Sequence, residues 1–139
     1  MNKLKSILVT GGAGYIGSVV IPKLVEQGYS VTVYDSLIYG KDGISDLIKE
    51  KKIELIIGDI RNYSLLEESL ENIDCVLHLA AIVGEPLCKK IPDAAHQINE
   101  LSTSSLIQAC KKQNVKRIIY ASTCSNYGSS TELANETTP

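Results

Sequence analysis

Runs of apolar, β-branched residues alternate along the chain with stretches whose apolar positions recur at helical spacing. This is the pattern of parallel strands joined by crossover helices. Leu4 to Thr10 is predicted as the first strand, and Tyr15 to Gln27 as a helix closed by Gly28. Ser30 to Asp35 follows as a strand, Ser45 to Lys51 as a short helix and Ile53 to Gly58 as the third strand. Ser64 to Glu71 forms another short helix, capped by Asn62 or Ser64, and Asp74 to Ala81 is the fourth strand. A loop carrying Pro86 and Pro92 leads to a long helix from about Asp93 to Gln113, then to a fifth strand, Val115 to Ala121. From Ser122 onward the chain is rich in Ser, Thr, Asn and Gly and reads as loop. Five strands with right-handed crossovers give a doubly wound parallel α/β sheet. Pro22 sits inside the first helix, where the missing N–H and ring clash cost about 3 kcal/mol, and a kink is expected there.

The 139 residues favour one domain, with roughly two thirds of the unfolded surface entering a core. Apolar residues make up 44% and charged residues 22%, which excludes the signature of a disordered chain. Fourteen Lys and Arg against sixteen Asp and Glu give a net charge of −2, so no cationic excess is available for a nucleic-acid backbone. The longest apolar run, Cys75 to Val83, falls far short of the ~20 residues of a membrane span and contains His78. Lys3 and Lys5 precede an apolar segment, but Gly11, Gly12 and Gly14 interrupt it, so it reads as a strand rather than a signal peptide. Cys75, Cys88, Cys110 and Cys124 show neither a C-x-x-C pair nor zinc-ligand spacing; reduced thiols in the cytoplasm and no metal are expected.

The candidate chemistry begins between the first strand and the first helix, in Thr10-Gly11-Gly12-Ala13-Gly14-Tyr15-Ile16-Gly17. From Gly12 it fits G-x-G-x-x-G; Gly11, Gly14 and Gly17 also fit G-x-x-G-x-x-G. Such a loop needs glycine for a tight turn, for backbone approach to a pyrophosphate and for close helix packing, and the helix N-terminus then offers N–H groups to phosphates. The P-loop alternative fails because Ser18 and Val19 stand where Lys and Ser or Thr are required. Glycine turns also arise for steric reasons alone. Context adds weight here, because Asp35 ends the second strand 18 positions after Gly17. A carboxylate there accepts both adenosine ribose hydroxyls and repels a 2′-phosphate, which favours NAD over NADP; the bland alternative is that Asp35 opens a turn. Gly58-Asp59-Ile60-Arg61 closes the third strand on the same rim, with an Asp turn as its plain reading. His78, within strand four, is read as a hydrogen-bonded structural histidine, and Cys124 as an ordinary thiol.

Taken with His78-Leu79-Ala80-Ala81, Asn99 and Ser122-Thr123-Cys124-Ser125-Asn126-Tyr127-Gly128, these motifs in this order resemble the extended short-chain dehydrogenases/reductases, specifically the NAD-dependent sugar-nucleotide epimerase/dehydratase family. The resemblance implies a Rossmann fold with NAD held by Gly11, Gly14, Tyr15, Ile16, Gly17 and Asp35. It implies that Asp59 bonds the adenine amino group, that Ile60 gives a backbone N–H to the ring, that Ala80 and Ala81 line the cofactor's path, and that Asn99 lies near the active-site strand ends. Thr123 falls on the family's catalytic hydroxyl, which orients a sugar hydroxyl while a Tyr phenolate removes its proton. That tyrosine relies on a Lys four residues later. The residues four places after this chain's seven tyrosines are Val19, Val33, Ile38, Gly43, Glu67, Cys124 and Thr131.

Glu136-Thr137-Thr138-Pro139 resembles the segment before the family's Tyr-x-x-x-Lys helix, so the expectation is a fold truncated after the fifth strand, with catalytic pair and substrate-binding part absent. The implied function is the NAD-binding portion of a nucleotide-sugar epimerase or oxidoreductase, inactive alone, with a nucleotide sugar as substrate, a homodimer as the expected assembly, and neither nucleic acid nor membrane as partner. Cys124 and Ser125 stand where the family's dehydratases usually place Asp-Glu, which favours epimerisation or simple oxidoreduction. Two other readings stay open: a noncatalytic NAD-binding sensor or interaction module, and a reductase on a non-sugar substrate. The loop from Ile82 to Cys88 would meet the substrate.

Overall fold

The computed structural model describes residues 4–123 together with Leu133, Asn135 and Thr137. Five parallel strands, β1 (Ser6–Thr10), β2 (Ser30–Asp35), β3 (Glu54–Ile57), β4 (Cys75–His78) and β5 (Arg117–Tyr120), form one sheet in the order β3-β2-β1-β4-β5. The order reverses between β1 and β4, the switch point where ligands of such sheets bind. The predicted strands all form, two to four residues shorter in four cases, and β2 matches its predicted bounds.

Strand residues alternate between two cores. Leu8, Tyr34 and Val76 pack with Leu66 of α3 (Tyr63–Glu68), Leu70 just beyond it, and Leu106, Ala109 and Cys110 of α6 (Ser102–Lys112). Ile7, Val9, Val31, Val33 and Cys75 pack with Ile21 of α1 (Tyr15–Glu26) and with Ile44, which ends a 3₁₀ turn before α2 (Ser45–Lys49). Sheet residues buried on both faces need near-continuous apolar strands, and that is what the sequence supplies. Helix α1 runs unbroken through Pro22. It ends with Gly28 at φ +81°, where the Gly28 and Tyr29 N–H groups bond back to Val25 and Leu24. Asn62 caps α3 through its side-chain oxygen, which accepts the Leu65 N–H.

Two predictions fail between β4 and β5. The stretch read as loop contains α4 (Glu85–Lys90), with Pro86 in its first turn, and Pro92 begins α5 (Pro92–His96). Proline at a helix start loses no hydrogen bond, so these prolines open helices instead of excluding them. The single long helix from Asp93 is instead α5, a π-helical segment Gln97–Leu101, and α6. The Ser102 N–H bonds Gln97 O, five residues back. The hydroxyls of Ser102, Thr103 and Ser105 bond back to Ile98 O, Asn99 O and Leu101 O, each four residues earlier, at 2.5, 2.7 and 3.0 Å. No described helix is long and apolar enough to cross a membrane.

Candidate functional site

The parallel register places Thr10, Asp35, Ile57, His78 and Tyr120 at one rim of the sheet. The glycine loop, Asp35, Gly58-Asp59, Leu79-Ala80-Ala81 and the segment reaching Thr123 therefore all leave the sheet on the same side. Thr123 lies three residues past β5 and is exposed; Cys124, Ser125 and most of the tail lie outside the described residues.

The four glycines of the loop serve different ends. Gly11 has φ +69°, and a Cβ there would stand 2.6 Å from Ala80 N, so the turn and its contact with the segment just past β4 both demand glycine. At Gly12 a Cβ would meet Val33 and Ile21, and at Gly17 it would lie 2.1 Å from Gly12 O, so both permit close packing. Gly14 is different. Its backbone is ordinary and extended, and an added Cβ would meet only Gly11 O at 3.2 Å. Conformation does not require glycine at this position at the start of α1, and packing sets only that one tight contact against it. No side chain caps that helix and its first turn holds no acidic residue. Its N–H groups and positive dipole end remain available to an anion. Tyr15 and Ile16, the first residues of α1, are exposed at this rim.

Asp35 ties β2 to the loop. Its Oδ2 accepts the Ala13 N–H at 3.0 Å and its Oδ1 the Leu37 N–H at 2.7 Å, so the turn reading of Asp35 and its position beside the glycines are both present. No cation pairs with it among the described residues. Asp59, next along the rim, is held by Arg61, whose Nε and backbone N–H both reach Oδ1 at 2.9 Å while Nη2 reaches Oδ2 at 2.5 Å. The Arg61 guanidinium pulls the Asp59 carboxyl below its ordinary value. Arg61 also bonds Gln97 Oε1, and a shallow hollow opens there between Ile60, Leu101 and Ser105. Ile60 itself is a buried core residue that also borders this hollow. A second hollow, lined by Glu71, Asp74, Gln113 and Asn114, lies at the opposite rim, away from every predicted site residue.

Ala80 is half-buried against Gly11, and Ala81 is exposed beside it. Asn99 lies in the π segment and grips Ile82 twice: its Oδ1 accepts the Ile82 N–H and its Nδ2 donates to Ile82 O, both at 2.8 Å. His78 is 2% exposed and bonded at both ring nitrogens, to Thr10 and Thr103. The structural reading of this histidine holds, but sequence reasoning missed its partners. The one available signal was Thr103 standing a helical turn after Asn99. Cys75, Cys88 and Cys110 are free thiols, and burial pushes the Cys110 thiol up to about 11, which leaves it a poor nucleophile.

A glycine turn, an uncapped helix start and strand-end carboxylates gathered at the switch point of a β3-β2-β1-β4-β5 sheet define a Rossmann-type α/β domain. The model of the NAD dependent epimerase/dehydratase family matches residues 7–139, and the chain belongs to that family. It is 38% identical over 133 residues to the UDP-glucose 4-epimerase of Halalkalibacterium halodurans, covering 92% of this chain and 37% of that protein. The UDP-Glc/GlcNAc 4-epimerase structure from Campylobacter jejuni superposes with a TM-score of 0.87 at 28% identity, over 97% of this chain and 42% of that one. The UDP-glucose 4-epimerase of Bifidobacterium longum, solved in complex with NAD+ and UDP, gives 0.85 at 31% identity, with 97% and 42% covered. The chain thus spans about two fifths of the length of these relatives.

Proposed function

We propose that this chain binds NAD along the carboxyl rim and forms the dinucleotide-binding portion of a nucleotide-sugar epimerase. The observation that carries the reading is Gly14: a bare position of ordinary backbone conformation at an uncapped helix start, where an added Cβ would have a single close neighbour, Gly11 O. The bound cofactor would supply the hydride acceptor and donor. Tyr15, Ile16 and Gly17 would present backbone N–H groups to its pyrophosphate across the bare Gly14, whose own N–H bonds Gly11 O within the turn that Gly11 holds. Asp35 would accept the adenosine ribose hydroxyls with the lone pairs its backbone bonds leave unused, and would repel a 2′-phosphate. Asp59 and the Ile60 backbone would address the adenine, with Ala80, Ala81 and Asn99 bordering the other half.

Thr123 would orient the sugar hydroxyl that is oxidised, but a threonine hydroxyl is no base at neutral pH. None of the seven tyrosines carries a Lys four residues later, so residues 1–139 alone should not turn over a nucleotide sugar. The absence of Asp-Glu after Thr123 favours epimerisation over dehydration. The free thiols fit a reducing cytoplasm, and a homodimer is the proposed assembly.

Calorimetry of this chain with NAD and NADP, followed by assay with UDP-glucose, tests the proposal. Binding of NAD at least tenfold tighter than NADP, with no turnover, is expected. Equal affinities would overturn the role of Asp35, and absence of NAD binding would overturn the proposal itself.

A further inference from the structure

A single run of hydrogen bonds crosses the interior beneath the β4 exit, and the direction of each bond can be assigned. The Thr103 hydroxyl donates to Asn99 O at 2.7 Å, so toward His78 it can only accept. His78 Nε2 therefore carries the ring proton and donates to Thr103 Oγ1 at 3.0 Å. Nδ1 is then the acceptor for the Thr10 hydroxyl at 2.6 Å, and Thr10 Oγ1 in turn accepts the Ala80 N–H at 3.4 Å. The imidazole stacks on Tyr120 with ring centroids 5.6 Å apart. Burial holds its pKa down to about 4, so the ring is neutral throughout the physiological range.

Both ends of this run terminate on the same short segment. One end reaches the Ala80 N–H through Thr10; the other passes through Thr103 to the turn that carries Asn99, whose amide grips Ile82. Ala80 is also the residue against which Gly11 is packed. We propose that His78 and Thr103 are positioning residues, which fix the wall from Ala80 to Ile82 at both ends and so shape the half of the cleft that takes the nicotinamide side of the dinucleotide. The inference rests on the NAD reading above. In doubly wound sheets each half binds one mononucleotide, so the β1–β3 side takes the adenosine half and the β4–β5 side the other. ADP samples the first side only, whereas NAD samples both.

Thr103→Val keeps the side-chain shape and removes the hydroxyl, and Thr103→Ser restores it. In Thr103→Val, amide exchange at Ala80 and Ile82 should accelerate at least tenfold, NAD affinity should fall about tenfold, and ADP affinity should stay within twofold. Thr103→Ser should return all three toward the unmodified chain. Unchanged exchange at both amides in Thr103→Val would overturn the proposal, as would equal loss of NAD and ADP, the mark of a merely structural role. Nitrogen chemical shifts of His78 in the unmodified chain give a check that needs no variant: the Nε2–H tautomer is expected between pH 6 and 8, and the Nδ1–H tautomer would overturn the assigned direction. If the unmodified chain bound neither NAD nor ADP, the dinucleotide reading and the cleft role built on it would both fall. Tenfold faster exchange would then leave a link to the backbone with no dinucleotide to serve. Binding that survives unchanged in Thr103→Val would instead sink the positioning role alone.

Discussion

Asp35 and Asp74 stand at opposite rims of one sheet, and each accepts two backbone N–H groups, yet they are differently finished. Asp74 precedes β4 and takes the Lys5 and Ser6 N–H groups at 2.7 and 3.1 Å on Oδ2, while the Lys116 ammonium closes on Oδ1 at 2.5 Å. Lys116 pulls its carboxyl far below the ordinary range, with the backbone donors adding to the effect. It is a clasp joining the starts of β1, β4 and β5. Asp35 takes the Ala13 and Leu37 N–H groups but no cation among the described residues. The same rim holds a glycine turn with a bare position of ordinary backbone conformation, Gly14, and an uncapped helix. A saturated carboxylate holds strands together; an unsaturated one beside free donors is where a ligand's hydroxyls can bond.

The sharpest way to break this contrast is at Gly14. Gly14→Val should reduce NAD affinity more than a hundredfold while the far-UV CD spectrum stays largely helical and sheet-like, because the backbone there is ordinary and the Cβ has one close neighbour, Gly11 O. Gly11→Ala should instead destabilise the fold, since it combines positive φ with a backbone clash at Ala80. If the two variants behaved alike, Gly14 would have no separate role. A second effect belongs to His78. Burial holds its folded pKa at about 4, below the ordinary imidazole value of 6.5, so the unfolded chain binds the proton first. Stability should be unaffected above about pH 6.5 and should fall by about 3 kcal/mol as pH drops to about 4, a slope that His78→Gln should flatten in urea titrations.

Asp35→Ala should cost about tenfold in NAD affinity and narrow the gap to NADP, measured by calorimetry. The smallest effect on binding is expected from Asp74→Asn, which should leave NAD affinity unchanged. It should weaken the clasp, so that stability is lost relative to the unmodified chain at neutral pH. The depressed folded pKa of Asp74 contributes stability above the ordinary carboxylate value of about 4, and that contribution is lost as pH falls below it. Urea melts of both proteins should therefore converge in acid.

Much of this was legible in the residues. Strand β2 and the Gly28 stop could be read because alternating core residues and a left-handed glycine leave little choice. The glycine loop and Asp35 could be read because their spacing encodes a tight turn beside a strand end. The α4 helix could not, since proline was weighed as a breaker when its place in the first turn makes it neutral. The His78 network was hidden for a different reason: Thr10, His78 and Thr103 are far apart in sequence, and only the parallel register and the π segment bring them together.

The π segment also acts as a phase setting. Each residue of a helix turns the chain by about 100°, so one residue more or less rotates everything beyond it by that angle. On one side of Gln97–Leu101 the helix is indexed to the sheet through Leu106, Ala109 and Cys110. Within it, Asn99 is indexed to Ile82. Deleting a single residue after Asn99, to make a regular α-helix, would force a choice between the two. Either the apolar stripe of α6 would swing off the sheet, or Asn99 would turn away from Ile82. The irregular turn is what lets one helix obey the core and the cleft together.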